Sequence, residues 1–192
     1  IGDKGADLNI PDFDGLTPLM HAAENEYVEI AEYLAGAGAD LGETDGQDRT
    51  ALMWALAKGN LEIVQMLLGK GAEIVGISKD GRTTLMHAAE GSSTEVVSLL
   101  LARGAELKAT AKDGRTALLV AANEGQASTV ELLLEKGADL KSTSQDGRNA
   151  LAWAATGGNL DAARKLVEAG IEVDSIDNNG RTPLMWAAYN GS

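Results

Sequence analysis

The chain has 192 residues, 44% of them hydrophobic, no cysteine and a formal net charge of −13 at pH 7. These values predict a chain that buries a core without disulfide bonds or thiolate metal sites. The negative charge argues against nucleic-acid partners, because non-specific affinity comes mainly from neutralising phosphates with Lys and Arg. No apolar run approaches the roughly 18 residues that cross a bilayer, so we expect no membrane insertion and, by default, a cytoplasmic protein.

Two short sequence markers recur along the chain with the same period of 33 residues. Because they share one period without insertions, we predict an array of equal structural units. The first marker, Thr-Pro-Leu-Met-His-Ala-Ala at residues 17–23, returns in varied form at 50–56, 83–89, 116–122, 149–155 and 182–188. The second, Gly-Ala-Asp/Glu, begins at Gly5, Gly38, Gly71, Gly104 and Gly137 and returns as Gly170-Ile171-Glu172.

Each unit is predicted to contain two helices and a hairpin-like turn. A threonine such as Thr17 caps the first helix, and Pro18 follows at a position where a missing N–H costs little. A second helix such as Leu61 to Gly69 carries apolar residues at helical spacing. Glycines such as Gly71 end that helix in a left-handed conformation, and an Asp-Gly or Asn-Gly dipeptide turns the chain before most of the following capping residues.

A 33-residue turn-helix-helix unit with Thr-Pro-Leu and Gly-Ala-Asp markers resembles the ankyrin repeat, and the resemblance covers the whole chain. It implies an all-α solenoid of helix-turn-helix units that forms a single domain over residues 1–192. The implied units are a partial one at 1–11, full ones at 12–44, 45–77, 78–110, 111–143 and 144–176, and a half unit at 177–192.

The sequence departs from the ankyrin pattern at several positions. Met20 and its equivalents replace the usual histidine after Thr-Pro-Leu, so a hydrogen-bond bridge common in the family is expected to be missing. Asp48 lies in the slot of a turn glycine, and Glu26 and Ser92 lie in the slots of loop glycines. These irregularities argue against an idealised designed array.

Both ends differ from those of a free-standing solenoid, whose terminal units carry polar caps. The last first-type helix has no partner, so Leu184, Ala187 and Ala188 are expected to be uncovered. We therefore expect either a fragment of a longer array or a neighbouring molecule over this end. Weak head-to-tail self-association is a further expectation.

Residues 33 positions apart form columns along a linear stack. The fourth position after the capping residue is expected to face a concave groove, because it lies about 200° around the helix from the core leucine. This ring column contains His21, Trp54, His87, Val120, Trp153 and Trp186, and Tyr189 follows one turn later. Rigidly held tryptophan dominates binding energy at interfaces, so the column predicts a groove for a partner protein or peptide. The alternative is that the rings pack against the neighbouring turns.

Trp153 and Trp186 also resemble the paired tryptophans with which the ankyrin domains of some histone lysine methyltransferases cage methylated lysine. The resemblance implies a methyl-lysine peptide as a second possible ligand, selected by a cation–π contact. The chain departs from that pattern at Thr156, where the cage has an acidic residue.

The arginine column lies directly before the capping position. It contains Arg49, Arg82, Arg115, Arg148 and Arg181, with Leu16 in the first full unit. Regularly spaced guanidinium groups are suited to clamping an acidic partner segment. The alternative is ordinary turn chemistry, in which each arginine pairs with a nearby carboxylate.

The sequence gives no indication of an enzyme, a cofactor or a metal site. His21 and His87 are expected about 20 Å apart, too far to share a metal ion, and no cysteine is present to help. Two functions from different classes stay open: a protein-interaction module acting through the concave face, and a structural or regulatory spacer in a larger protein.

Overall fold

The computed structural model describes residues 5–91 and 93–191, which form eleven α-helices arranged in two rows. The first row contains α1 (Pro18–Glu24), α3 (Ala51–Lys58), α5 (Thr84–Glu90), α7 (Ala117–Asn123), α9 (Ala150–Thr156) and α11 (Pro183–Asn190). The second row contains α2 (Val28–Gly36), α4 (Leu61–Gly69), α6 (Thr94–Ala102), α8 (Ala127–Glu135) and α10 (Leu160–Glu168). Helix starts in each row are 33 residues apart, which confirms the predicted all-α solenoid.

A side chain caps the start of every first-row helix, as the sequence predicts. The Thr17 hydroxyl accepts a hydrogen bond from the Met20 N–H at 3.3 Å. The Met20 sulfur in turn accepts from the Thr17 N–H at 3.4 Å, so a thioether takes the place of the usual Glu or Gln in the capping box. The equivalent caps are Thr50, Thr83, Thr116, Asn149 and Thr182.

The core lies between the two rows. Each first-row helix packs against the next first-row helix, and the second-row helices pack in the same order. Alanines such as Ala88 and Ala89 are fully buried, and their small side chains let neighbouring first-row helices approach closely. Leucines of the second row, such as Leu133, complete the core.

A turn precedes each first-row helix, and these turns, here called fingers, are bonded to one another. The Lys112 N–H donates to the Asp80 carbonyl at 2.9 Å, and the Gln145 N–H donates to the Asp113 carbonyl at 2.7 Å. Gly114 is required here, because its φ is +78° and a Cβ would lie 2.6 Å from the Gln145 nitrogen. The fingers are residues 12–16, 45–49, 78–82, 111–115, 144–148 and 177–181, and the same type of backbone bond joins them all.

The expected exposure in the last unit is found for two of the three residues named. Leu184 is 79% exposed and Ala188 is exposed. Ala187 is half-buried because α11 packs against α9. An apolar cavity of about 440 Å³ beside Leu184 lies next to α9, α10 and α11. Self-association through this end stays a prediction.

Two of the glycine-slot departures adopt the backbone conformation that favours glycine. Glu26 has φ +60° and Asp48 has φ +59°, both in the left-handed region. Ser92 lies outside the described residues. A side chain in the left-handed region costs free energy, and Asp tolerates it better than Glu.

We expect Glu26→Gly to stabilise the protein by about 1 kcal/mol, because it relieves the left-handed strain while losing only an exposed hydrogen bond from Asn60. Urea unfolding measures the change. Asp48→Gly is the matched control and should give a smaller gain. A lower urea midpoint for Glu26→Gly would contradict the strain.

We expect Thr129→Val to stabilise the protein by about 1 kcal/mol. Thr129 is a buried residue of α8, and its hydroxyl has no hydrogen-bond partner. Its equivalents are apolar: Ile30, Ile63, Val96 and Ala162. Thr129→Ser, which keeps the hydroxyl and removes the methyl group, should destabilise in the same unfolding assay. The interpretation fails if Val and Ser shift the midpoint alike.

Candidate partner-binding groove

The fingers and the first-row helices enclose a cleft, here called the finger groove, which is lined by the ring column and the arginine column. A cavity of about 400 Å³ at its start is lined by Asp12, His21, Asp45 and Trp54, among others. A second cavity of about 260 Å³ extends the groove around His87 and is lined by residues of the second and third full units. These cavities bring both predicted columns together in the first three full units, and arginine–ring contacts bring them together again at Trp153 and Trp186.

The ring column is hydrogen-bonded to the fingers. Trp54 Nε1 donates to Asp45 Oδ2 at 3.2 Å, nine residues earlier in the chain. Each of the other four rings of the column contacts the residue nine positions earlier. These contacts are His21–Asp12 at 2.7 Å, His87–Ser78 at 3.2 Å, Trp153–Ser144 at 3.0 Å and Trp186–Asp177 at 3.0 Å. The chain itself therefore bonds one ring nitrogen of each of these five residues.

The finger residues that bond the rings form a column that the sequence reasoning missed. Its polar members sit opposite polar rings, whereas in the fourth full unit Ala111 sits opposite Val120 and both are buried. The spacing of nine residues and this matched change of polarity are visible in the sequence. These two features could have predicted the contact between each ring and its finger.

The rings differ in exposure along the groove. His21 is exposed, Trp54 and Trp153 are half-buried, His87 and Trp186 are 5% and 7% exposed, and Tyr189 is 74% exposed. The burial of His87 and of Trp186 differs from the open column that the sequence predicts. Trp186 is buried because the Arg148 guanidinium covers the ring at 3.7 Å and Tyr189 meets it edge-on at 6.0 Å.

Guanidinium groups and indole rings alternate at the far end of the groove. Arg148 Cζ lies 4.7 Å from the centre of the Trp153 ring and 3.7 Å from that of Trp186. Arg115 lies 5.0 Å from the Trp153 centre, and Arg181 lies 4.8 Å from the Trp186 centre. Cation–π attraction therefore holds these side chains in one stack.

Four of the five arginines also contact a finger carboxylate, which is the ordinary turn chemistry considered above. Arg49 Nε donates to Asp45 Oδ2 at 2.8 Å while its guanidinium covers Trp54 at 3.9 Å. Arg115 Nε donates to Asp113 Oδ2 at 2.5 Å. The pairs Arg82–Asp80 and Arg148–Asp146, at 3.2 and 2.9 Å, are within ion-pair distance without hydrogen-bond alignment, and Arg82 also contacts Glu90. Arg181 has no carboxylate within 4.0 Å among residues 5–91 and 93–191.

The carboxylates that bond the rings are held in the ionised form. Burial raises the pKa of Asp45, but the backbone N–H groups of Arg49 and Gln47 and the Arg49 guanidinium outweigh burial and lower it. Burial likewise raises the pKa of Asp177, and the hydrogen bonds that it accepts bring its pKa below the usual value. Each is therefore a charged acceptor for an indole N–H at neutral pH.

His87 is held neutral in the middle of the groove. Burial lowers its pKa most, the positive charge of Arg82 lowers it further, and the pKa falls to about 4. The ring is therefore uncharged at neutral pH and serves as a buried hydrogen-bonding group.

Residues 5–91 and 93–191 contain no group of three or more His, Asp or Glu side chains placed to hold a metal ion. None of the helices in those residues is long and apolar enough to cross a bilayer.

Comparison with known proteins decides the family. The family model described as ankyrin repeats (3 copies) matches residues 1–77, 74–144 and 137–192, which together span the chain. The chain belongs to the ankyrin-repeat family. The ankyrin repeat domain of Bcl-3, a unique member of the IkappaB protein family, has a similar crystal structure, with a TM-score of 0.70 and 31% sequence identity over 96% of this chain and 83% of that chain. No curated protein sequence matches.

Ankyrin repeats are generally protein–protein interaction modules, and the ankyrin fold is a non-enzymatic protein-interaction fold. Membership of the family confirms the predicted fold and the general class of partner. The residues that contact a partner, and the partner itself, stay predictions.

We expect His87 to make stability fall as the pH drops from 6.5 to 4. Below pH 6.5 the unfolded chain binds a proton at this histidine, whereas the folded chain does so only near pH 4. The loss is about 3 kcal/mol at full effect. Urea unfolding at pH 7 and pH 4 measures it.

The matched variant for this test copies the fourth full unit. Ser78→Ala with His87→Val recreates the Ala111 and Val120 pair and should lose distinctly less stability between pH 7 and pH 4. Any stability that the variant still loses between pH 7 and pH 4 comes from protonation of the carboxylates whose pKa values are lowered in the folded chain. Equal losses in both proteins would show that His87 does not titrate as described.

Proposed function

We propose that this ankyrin array binds a partner protein or peptide along the finger groove. The observation that carries the proposal is the row of immobilised rings and guanidinium groups on one face. Groups that are already fixed lose little conformational entropy when a partner binds. Tryptophan, tyrosine and arginine are also the residues most enriched among those that dominate binding energy.

The proposal divides the groove residues into two kinds. His21 and Tyr189 are exposed, and Trp54 and Trp153 are half-buried, so these four offer surface to a partner. Trp186 is covered by other side chains, so it holds neighbouring groove residues in place and offers little surface itself. In this proposal some residues of the groove contact the partner, and others pack within the chain.

The methyl-lysine alternative has less support. Arg148 lies between Trp153 and Trp186, at 4.7 and 3.7 Å from the ring centres, in the space that a methylated ammonium group would need. Thr156 brings no carboxylate to this place, and its hydroxyl donates to the Ala152 carbonyl.

We expect the double variant His21→Ala, Tyr189→Ala to weaken partner binding by at least about tenfold, because it removes exposed surface at both ends of the groove. Affinity capture with the chain as bait, quantified by mass spectrometry, measures the effect. Thermal unfolding should change little, since exposed substitutions usually alter stability by within about 0.5 kcal/mol.

Tyr27→Ala is the matched control. Tyr27 is an exposed tyrosine in the loop between α1 and α2, at the opposite end of the helices from the fingers. It should leave capture unchanged. If the double variant and the control capture the same proteins in the same amounts, groove binding is wrong and the spacer function gains support.

A further inference from the structure

Arg181 differs from Arg82, Arg115 and Arg148 of its column in the sequence of its finger. The fingers of the third, fourth and fifth full units carry Asp80, Asp113 and Asp146 two residues before the arginine, and each carboxylate contacts that arginine. The last finger carries Asn179 at this position. Within residues 5–91 and 93–191 the Arg181 guanidinium therefore has no carboxylate at ion-pair distance.

The Asp177 carboxylate lies beyond ion-pair distance of the Arg181 guanidinium, although its equivalent Asp45 makes the same bonds and also pairs with Arg49. Asp177 Oδ1 accepts from the N–H groups of Asn179 and Arg181 at 2.8 and 2.9 Å. Asp177 Oδ2 accepts from Trp186 Nε1 at 3.0 Å. The carboxylate thus bonds the Arg181 backbone and the indole, and the guanidinium donors stay open to solvent.

Aromatic contacts nevertheless orient the Arg181 guanidinium. Its Cζ lies 4.8 Å from the Trp186 ring centre and 5.6 Å from that of Tyr189. Trp186 is itself fixed by its hydrogen bond and by Arg148 on the ring. An exposed cation held against rigid rings has lost part of the freedom that an anion would otherwise have to remove.

We propose that Arg181 is the anion subsite of the finger groove and receives one carboxylate of the partner, from an Asp or Glu side chain. The guanidinium fork matches a carboxylate with two parallel N–H···O bonds. A single carboxylate fits better than a strongly acidic segment, because a chain of net charge −13 repels the latter. This inference rests on the proposed function, since the partner must lie in the groove to reach Arg181.

The probe is a capped peptide with one glutamate between leucines, compared with the same peptide carrying glutamine. Titration is followed by NMR at the Arg181 Nε–Hε and Trp186 indole signals. We expect the glutamate peptide to shift both signals saturably and to bind about tenfold more tightly than the glutamine peptide, the gain of one charge-assisted hydrogen-bonded pair. Equal affinity of the two peptides would overturn the inference. A phosphoserine version that binds better than glutamate would overturn the choice of carboxylate.

Asn179→Asp is the decisive variant, because it recreates the Asp-Gly-Arg finger of the third, fourth and fifth full units and supplies Arg181 with an internal carboxylate. We expect it to abolish the preference for glutamate while leaving urea unfolding nearly unchanged. Gln145→Glu adds the same charge to the neighbouring finger and should leave most of the preference. If both variants reduce binding equally, the effect is general repulsion and the subsite does not exist.

The same variant separates this inference from the proposed function. Affinity capture that is lost with His21→Ala, Tyr189→Ala but unchanged with Asn179→Asp would leave groove binding standing and remove the anion subsite. Capture that is insensitive to both would remove the proposed function as well.

Discussion

The close approach of neighbouring first-row helices is the constraint on which the rest of the molecule depends. Ala88, Ala89, Ala121 and Ala122 are fully buried at these contacts, and a larger side chain would push the layers apart. Because the layers keep one spacing, the fingers come within backbone hydrogen-bonding distance and equivalent side chains line up. The groove is therefore a product of small residues in the core.

In the proposed function, packing and recognition use the same side chains of this groove. A tryptophan such as Trp54 is tied to its finger by a hydrogen bond and covered by Arg49, so its position is set before any partner arrives. The two sequence interpretations, a ring that packs and a ring that binds, are compatible, because they concern different atoms of one residue. The N–H and one face are used internally, and exposure decides how much of the remainder is available.

Much of the fold follows from rules that act within a few residues. Capping by Thr17 and the positive φ of Gly71 need only local chemistry, and the fixed period then places every unit. The burial of Trp186 could not be read from the sequence in this way. It depends on the rotamer of Arg148 from the preceding unit, which crosses between layers to reach the ring. Contacts set by long flexible side chains are the part that the period does not determine.

The backbone bonds between fingers also limit how such a chain can change in length. The Lys112 N–H meets the Asp80 carbonyl, and the Gln145 N–H meets the Asp113 carbonyl, only while every unit has the same number of residues between finger and helix. Inserting or deleting one residue in a finger would displace its bonding groups from those of the two adjacent fingers. Length variation among such arrays is therefore expected in steps of a whole unit.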